Sequence, residues 1–327
     1  MRSPRTRSGG REINVDIVGK RGWYFLLSAL VIVPGIVSLL IPPPLKAGID
    51  FSSGSAFDVT FPAEVAVEDV RGALGTAGHE NARVQQIDFN EVFVRTKELR
   101  EGDRQRIEEA FQARLGDKGT FSSIDTVSAE VAGATVRNAI IAVVLSTIAI
   151  LFFIWWAFRN VPGSYRYGIA AILAVIHDVL VILGVFSILG KVMDTEVNAM
   201  FVVGVLAVVG YSVNNTIVIF DRIRENVARD VNRPFAETVN ISILESVGRT
   251  MGSSMTTLVA LVAIMVFTGS TLREFLLVFL IGLVAGTYSA IFIASQFLVL
   301  WEQGEVGRAF RFLRPRRARA AAASQKA

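Results

Sequence analysis

Six long runs of apolar residues constrain this chain more than any other feature of its sequence. A helix needs about 20 mainly apolar residues to cross a bilayer. The runs lie at 23–41, 139–158, 167–189, 197–220, 253–268 and 275–301. The fifth run reaches spanning length only if residues 247–252 continue the same helix. A mean hydropathy of +0.50 and a charged fraction of 19% agree with a membrane protein and exclude a soluble globular enzyme or a disordered chain.

The first run follows a basic segment at residues 1–22 and stops at Pro42-Pro43-Pro44. A secretory signal has a shorter apolar core, of about 7–15 residues, and ends at a small-residue cleavage site. We therefore expect an uncleaved first transmembrane helix at 23–41, with Trp23 and Tyr24 at the membrane interface.

Residues 42–136 contain no candidate span and are long enough for one small domain. Their apolar spacing predicts a strand, a helix, two strands joined by a tight turn, a second helix and a last strand. These elements are expected at 56–61, 64–78, 84–89, 92–96, 103–115 and 121–127. Their order is that of a ferredoxin-like split βαβ domain, so we predict an α+β domain between the first and second membrane helices.

The placement of lysine and arginine predicts the orientation, because basic residues concentrate in cytoplasmic segments. The basic segments are the tail at 1–22, a loop near 221–249 and the tail at 302–327. Both termini are then cytoplasmic, the domain at 42–136 is external, and residues 137–301 form a five-helix membrane domain. The basic tails fit this topology and attraction to membrane lipid, and no motif in them indicates nucleic acid.

The sequence carries no motif for catalysis, nucleotide binding or metal binding. It has no cysteine, lacks a GxxxxGK[ST] phosphate loop, and holds two histidines, His79 and His177. A multi-histidine metal site cannot form from these. We expect neither an enzyme nor a cofactor.

Adjacent ionisable residues, His177 and Asp178, lie in the middle of the third run. Neighbouring positions on a helix point about 100° apart, so both side chains cannot face lipid comfortably. Such groups are costly in a membrane and usually need a partner or an aqueous path. Two interpretations stay open: a proton-handling or helix-linking pair, and a structural hydrogen bond to a neighbouring helix.

A polar patch interrupts the fourth run at 211–216 and includes Asn214 and Asn215. Side chains of this kind commonly form hydrogen bonds between membrane helices. A charged segment follows, Asp221-Arg222-Ile223-Arg224-Glu225-Asn226. We expect it to mark the cytoplasmic exit of the helix, with Arg222 paired to Glu225.

Arg249 opens the fifth span. It either snorkels to the interface or provides a fixed positive charge beside a titrating carboxylate, whose pKa it would lower. Two glycine pairs, Gly248 with Gly252 and Gly282 with Gly286, have the spacing that permits close helix contact.

Five motifs in order, in the predicted architecture, resemble the SecF family of bacterial protein export. The resemblance covers about residues 13–303. The motifs are Gly48-Ile49-Asp50-Phe51-Ser52-Ser53-Gly54, Ile176-His177-Asp178-Val179, Gly210-Tyr211-Ser212-Val213-Asn214 with Asp221–Asn226, Arg249-Thr250, and Gly286-Thr287-Tyr288-Ser289.

The resemblance implies an α-helical half-transporter of the RND type with an external domain, in the bacterial inner membrane. A SecF protein works with SecD beside the SecYEG channel. It uses the proton motive force, or sodium ions, to promote late, ATP-independent movement of unfolded exported polypeptides. Accessory membrane proteins of the YajC and YidC types are further expected partners.

One position departs from the family's pattern. The residue after the Asn of GYS-x-N is typically Asp, the expected ion carrier beside an arginine that matches Arg249, and here it is Asn215. Asparagine has no titratable proton. Three accounts remain, of which we favour the first: SecD supplies the working carboxylate, Asp178 carries the ion, or coupling is weak and the subunit serves assembly and substrate holding.

Two other functions stay open: a small-molecule exporter of the RND superfamily, which would require pairing of this half-length chain, and a passive scaffold of the translocon.

For an active subunit we expect rigid-body rocking of helix groups around a site between the fourth and fifth spans. Gly48, Gly54 and Gly133 are candidate hinges, although ordinary turn chemistry explains each of them equally well.

Overall fold

A bundle of long helices carries a small α/β domain in the computed structural model, which describes residues 15–159, 163–268 and 270–304. The helices are α1 (Arg21–Leu40), α2 (Ile49–Ser52), α3 (Val67–Thr76), α4 (Asp103–Leu115), α5 (Ala129–Phe158), α6 (Ser164–Val192), α7 (Ala199–Arg229), α8 (Phe235–Phe267), α9 (Ser270–Ser289) and α10 (Ser295–Glu302). The strands are β1 (Gly54–Thr60), β2 (Arg83–Asp88), β3 (Glu91–Thr96) and β4 (Thr120–Val127).

Six helical segments are long and apolar enough to cross a membrane, which confirms the predicted number. They are Val18–Leu40, Ala129–Phe158, Ser164–Val192, Ala199–Arg229, Phe235–Phe267 and Leu272–Glu302. The last combines α9 and α10 through a π-helical turn at Ala290–Ala294. One end of the bundle lies next to the small domain, and the opposite end is here called the distal end.

Helix α5 begins earlier than the apolar run that predicts it. The side chain of Ser128 accepts a hydrogen bond from the Val131 amide at 3.4 Å and caps the helix at Ala129. The first turns carry polar residues, which the apolar pattern did not capture. Gly133, a candidate hinge, consequently lies inside a continuous helix.

The cytoplasmic loop predicted near 221–249 is wrong as a loop, because α7 and α8 extend through most of it. Only residues 230–234 lie outside the two helices. Charged side chains one turn apart support the extension: Glu225 pairs with Arg222 at 2.6 Å and with Arg229 at 2.7 Å. Hydropathy detects where a helix leaves an apolar medium, and this helix continues beyond that point.

The small domain has a four-stranded antiparallel sheet in the order β2-β3-β1-β4. Helix α3 connects β1 to β2 and α4 connects β3 to β4, so each connection passes over one intervening strand. This is the predicted ferredoxin-like topology. Alternate strand residues and one face of each helix form its core, which includes Phe57, Val59, Val70, Leu74, Val92, Val94, Ile107 and Phe111.

Two titratable groups stabilise the connection between sheet and helices. The His79 ring is buried and its Nδ1 lies 2.8 Å from the Thr96 hydroxyl, and burial lowers the pKa of this histidine. Asp103 accepts a hydrogen bond from the Arg100 amide at 2.8 Å, which lowers the pKa of the carboxyl.

Close glycine contacts set the spacing of the central helices. A Cβ on Gly35 of α1 would lie 2.7 Å from the Cα of Gly184 on α6. A Cβ on Gly282 of α9 would lie 2.2 Å from a methyl group of Val208 on α7. Small residues of this kind let helix backbones approach closely in membranes. Helices α6, α7 and α9 form the centre of the bundle, whereas α5 is largely exposed.

We expect Gly54→Ala to destabilise the small domain by roughly 1–3 kcal/mol, because an alanine would be strained there. Gly54 has a φ of 124°, and its Cβ would lie 2.5 Å from the carbonyl oxygen of Thr96. Gly78→Ala is the matched control, since Gly78 also has a positive φ but open space around it. Amide hydrogen exchange of the domain measures both, and equal effects would contradict the steric explanation.

Candidate functional site

A buried carboxylate, Asp178, lies at the centre of the helix bundle and contacts three helices. It is 1% exposed. Its Oδ2 accepts hydrogen bonds from the hydroxyls of Ser212 on α7, at 2.5 Å, and Ser289 on α9, at 2.8 Å. Its Oδ1 lies 2.9 Å from Nδ1 of His177. All of these contacts suit a carboxylate that only accepts hydrogen bonds.

The neighbouring His177 extends the same network to α1. Its Nε2 lies 3.0 Å from the hydroxyl of Ser28, and the ring stacks on Tyr288 with centroids 6.1 Å apart. When its ring is protonated, His177 carries a positive charge directly beside Asp178. The pair therefore links four helices through hydrogen bonds, and it also places a titratable carboxylate in the bundle interior.

The four residues Gly286-Thr287-Tyr288-Ser289 each contact a different helix. A Cβ on Gly286 would lie 3.0 Å from the Cβ of Ser212, so the glycine allows α9 to approach α7. The Thr287 hydroxyl donates to Ser254 of α8 at 2.7 Å, and the Tyr288 hydroxyl donates to the Tyr24 carbonyl of α1 at 2.7 Å. Ser289 donates to Asp178 of α6. This segment is the centre of the packing.

Asn215 and Arg249, the predicted ion site, lie at similar depth but in different surroundings. The Asn215 side chain is 2% exposed, and its Nδ2 has no hydrogen-bond partner among the described residues. Arg249 is exposed and forms no ion pair with any residue that the structure describes. Asn214 is exposed as well. Within this chain, the neutral amide of Asn215 is therefore buried, whereas the positive charge of Arg249 is exposed.

The register of α7 against α8 gives the depth of Arg249. The cross-helix contacts are Tyr211 with Thr257, Arg222 with Glu245, and Asn226 with Ser242. They fix an antiparallel pairing in which Arg249 is about level with Ile219, one helical turn from Asn215. Gly248 and Gly252 are exposed on the same helix, and a Cβ on either would contact nothing.

The charged segment at the distal end of α7 joins this helix to α8. The predicted pair of Arg222 and Glu225 is present at 2.6 Å, and Arg222 also contacts Glu245 at 2.7 Å. Asn226 is buried and donates to Glu245 at 2.7 Å. Asp221 and Arg224 form an exposed pair of their own at 2.5 Å. The segment stabilises the helix hairpin beyond the apolar core.

The motif at 48–54 fastens the small domain to the start of α7. The Gly48 amide donates to the Val197 carbonyl at 2.7 Å, and a Cβ on Gly48 would lie 2.9 Å from that oxygen. The Asp50 carboxylate accepts from the Ala199 amide at 2.8 Å, in the first turn of α7. Phe51 packs against the apolar cluster around Phe186 and Phe201. These contacts make the linker a fixed connection.

Arg95 of β3 completes this junction. It donates to the Ala47 carbonyl at 2.7 Å, pairs with Glu196 at 2.5 Å, and contacts the Ser52 hydroxyl. Lys46 pairs with Asp194 beside it, which lowers the pKa of that carboxyl. The junction therefore couples the sheet of the small domain to both α2 and α7.

Comparison with known proteins agrees with this arrangement. The family model described as "Protein export membrane protein SecD/SecF, C-terminal" matches residues 107–304. The protein translocase subunit SecF of Thermobaculum terrenum is 41% identical over 316 residues, covering 92% of this chain and 98% of the relative. The SecDF subunit of Thermus thermophilus is 32% identical and covers 85% of this chain and 37% of its own length.

The crystal structure of SecDF from Thermus thermophilus, described as a translocon-associated membrane protein, superposes with a TM-score of 0.78 at 31% identity. The match covers 93% of this chain and 40% of that one, so the chain spans about two fifths of the SecDF length. The chain belongs to the SecF family of protein-export membrane proteins, as its motifs predicted. It is a multi-pass membrane protein with the RND-type half-transporter fold.

Sequence reasoning missed several residues that complete the site. Ser212 and Ser289 occur within the family motifs, whereas Ser28, Arg95 and Glu196 belong to no motif. Gln296 is fully buried, and the occurrence of a polar residue within the sixth apolar run is the sequence feature that could have identified it.

We expect Ser289→Ala to lower the free energy of unfolding by roughly 1.5–3 kcal/mol, because it removes a hydrogen bond to a charged group. Ser146→Ala is the control, since the Ser146 hydroxyl donates to carbonyls of its own helix. Unfolding in detergent measures both variants. A Ser289 effect no larger than that of Ser146 would contradict the role of the Asp178 network in packing.

We expect Arg95→Met to loosen the junction and to cost roughly 1–3 kcal/mol of local stability. Amide exchange at residues 46–54 and 194–199 should then accelerate. Arg83→Met is the matched control, because the Arg83 side chain is 62% exposed and reaches Glu196 only at 3.4 Å. Unchanged exchange in Arg95→Met would show that the linker is held by the backbone contacts alone.

Proposed function

We propose that this chain is the SecF subunit of a SecD–SecF unit that acts beside SecYEG. In this role it uses an ion gradient to promote the late, ATP-independent movement of unfolded exported polypeptides. The family membership and the likeness to the fused SecDF protein support a partner of the SecD type. YajC-type and YidC-type membrane proteins are further candidate partners.

The exposed face formed by α7 and α8 carries this proposal. Asn214 and Arg249 are exposed on the membrane-spanning helices α7 and α8, beside the uncovered Gly248 and Gly252, with Arg249 near the distal end of the apolar region. A guanidinium that faces lipid is costly, whereas a partner helix with a carboxylate would neutralise it. Small residues on the same face permit that helix to approach closely. The face is therefore suited to a partner's helix.

Because residue 215 is asparagine, a partner is needed to neutralise Arg249 as well as to cover the exposed face of α7 and α8. An amide can donate and accept hydrogen bonds but cannot neutralise Arg249. Glu245, one turn before Arg249, pairs with Arg222 instead, and no carboxylate of the described residues pairs with Arg249. In this proposal SecD supplies the acidic group, and protons or sodium ions reach the interface between the two subunits.

The proposed orientation follows the basic residues. We place the distal end, with the charged segment of α7, in the cytoplasm of a bacterial cell, together with both termini. The small domain then lies on the external side of the inner membrane, where it would meet the emerging polypeptide. The junction at Arg95 would transmit movement between this domain and α7.

The test is gradient-driven completion of export in proteoliposomes that contain SecYEG, the matching SecD and this chain, with ATP removed after translocation starts. We expect the chain to respond to a proton or sodium gradient and Arg249→Met to lose the response. Arg224→Met is the control, since that arginine lies outside the apolar region and pairs locally with Asp221.

A second variant, Asn215→Asp, distinguishes an ion-coupled subunit from a passive scaffold. If only Asn215→Asp responds to the gradient, the chain acts as an assembly or substrate-holding subunit, and the coupled function is refuted. Co-purification distinguishes the partner: SecD and SecYEG support the proposal, and self-dimers without them contradict it.

A further inference from the structure

Three buried side chains near the Asp178 network contain polar atoms without a hydrogen-bond partner among the described residues. They are Nδ2 of Asn215, Oγ1 of Thr250 and both amide atoms of Gln296. The three residues are 2%, 2% and 0% exposed. Buried polar groups in proteins are nearly always hydrogen-bonded, to protein or to ordered water. Several such atoms in one region therefore require a common explanation.

Helices α7 and α8 bring Asn215 and Thr250 to the same place. The antiparallel register puts Thr250 level with Val218, less than one turn from Asn215. Asn215 lies on the face of α7 that contacts α8, one turn from Tyr211, whose hydroxyl reaches Thr257. Thr250 lies one turn from Ser254, which bonds to α9. Both side chains thus point into the junction of α7, α8 and α9.

The third side chain, Gln296, continues this line toward the distal end. Helices α7 and α9 run parallel, with Gly282 against Val208 and Gly286 against Ser212, so α10 brings Gln296 near the level of Arg222. Thr287 contacts α8 and precedes Tyr288, which contacts α1. Gln296 likewise precedes Phe297, whose ring lies 5.5 Å from Phe25 of α1. Helix α10 packs against both α6 and α8, and Gln296 is fully buried in this region.

Toward the small domain the contact between α7 and α9 is apolar. Val208 packs against Gly282, and Gly204 against Val278, with no space between them. The apolar cluster there includes Ile182, Phe186, Phe201, Val205 and Val278. The unpartnered atoms of α7, α8 and α10 therefore lie on the distal side of this contact.

We propose that Asn215, Thr250 and Gln296 line an internal water-binding site that opens toward the distal end, and that Asp178 is the group that exchanges its proton through it. The amides and the hydroxyl together supply donors and acceptors, and a buried water needs two to four such partners. Asn215 then holds water instead of carrying the ion. This inference deepens the proposed ion-coupled function and rests on it: Asp178 carries the proton, and the acidic group supplied by SecD neutralises Arg249.

The proton transfer balances within this site. Protonated Asp178 gives its proton to a bound water, the resulting hydronium passes it along the water to bulk solvent at the distal end, and the carboxylate and the neutral water are left behind. The titratable groups that face Asp178 are His177 on its own helix and Tyr288 on α9 through the histidine ring. Helices α1 and α7 contribute the hydroxyls of Ser28 and Ser212.

The water site is tested by the reactivity of single cysteines, since the chain contains none of its own. Thr250→Cys and Gln296→Cys are made in the full chain, co-assembled with SecD in membrane vesicles. Silver ions are added from one side at a time, and unreacted thiol is counted by maleimide labelling after denaturation. A thiol reacts as the thiolate, which forms readily only where water reaches it.

We expect both thiols to react from the distal side about tenfold or more faster than buried apolar controls, because apolar burial raises a thiol's pKa. The controls are Val239→Cys on α8 and Val299→Cys on α10, both 0% exposed and both nearer the distal end. Rates equal to the controls, or reaction from the small-domain side alone, would overturn the water site.

The role of Asp178 is tested separately by infrared difference spectroscopy of the carboxyl C=O band during a pH titration. Asp178→Asn should remove one titrating band, and Asp178→Glu should retain it. In the export assay Asp178→Asn should lose the gradient response, and Asp178→Glu should keep it. If export by Asp178→Asn still follows the gradient, this inference fails while the proposed function stands.

Discussion

The buried carboxyl group of Asp178 is the constraint on which the packing of this bundle depends. A carboxylate at that depth is tolerated only if hydrogen bonds replace the water it has lost. Two serine hydroxyls and a histidine ring provide those bonds, and they come from α7, α9 and the same turn of α6. Because the two serines lie on α7 and α9, the carboxyl group on α6 fixes these three helices relative to one another. The glycine at 286 permits this arrangement, since a Cβ there would lie 3.0 Å from the Cβ of Ser212.

Polar and apolar contacts alternate along the central helices. Between Asp178 and the small domain, α7 and α9 pack through methyl groups that lie directly on glycine. On the distal side, buried amide and hydroxyl groups lie among the apolar residues, and the bundle ends in the paired charges of Arg222, Glu225 and Glu245.

The small domain is attached to the same helix that carries Ser212 and Asn215. Its linker follows α1, forms backbone bonds with the segment before α7, and is held by Arg95 of the sheet. Gly48 and Gly54 are both in close contact with backbone oxygens, so they serve tight packing in this conformation. A movement of the domain would therefore have to move the start of α7 or break the contacts of Arg95.

Periodicity and length determined the six spans, the small domain between the first two, and its strand order, because apolar patterns report directly on burial in lipid or in a core. Ordered motifs determined the family. Helix ends such as Ala129, and the helical extension through 221–249, depended on caps and ion pairs, which hydropathy does not record. Only the tertiary structure decided which polar residues meet: it joined His177 and Asp178 to Ser28, Ser212 and Ser289, buried Asn215, and left Arg249 on the surface. Those contacts arise between helices far apart in sequence, so no local pattern could specify them.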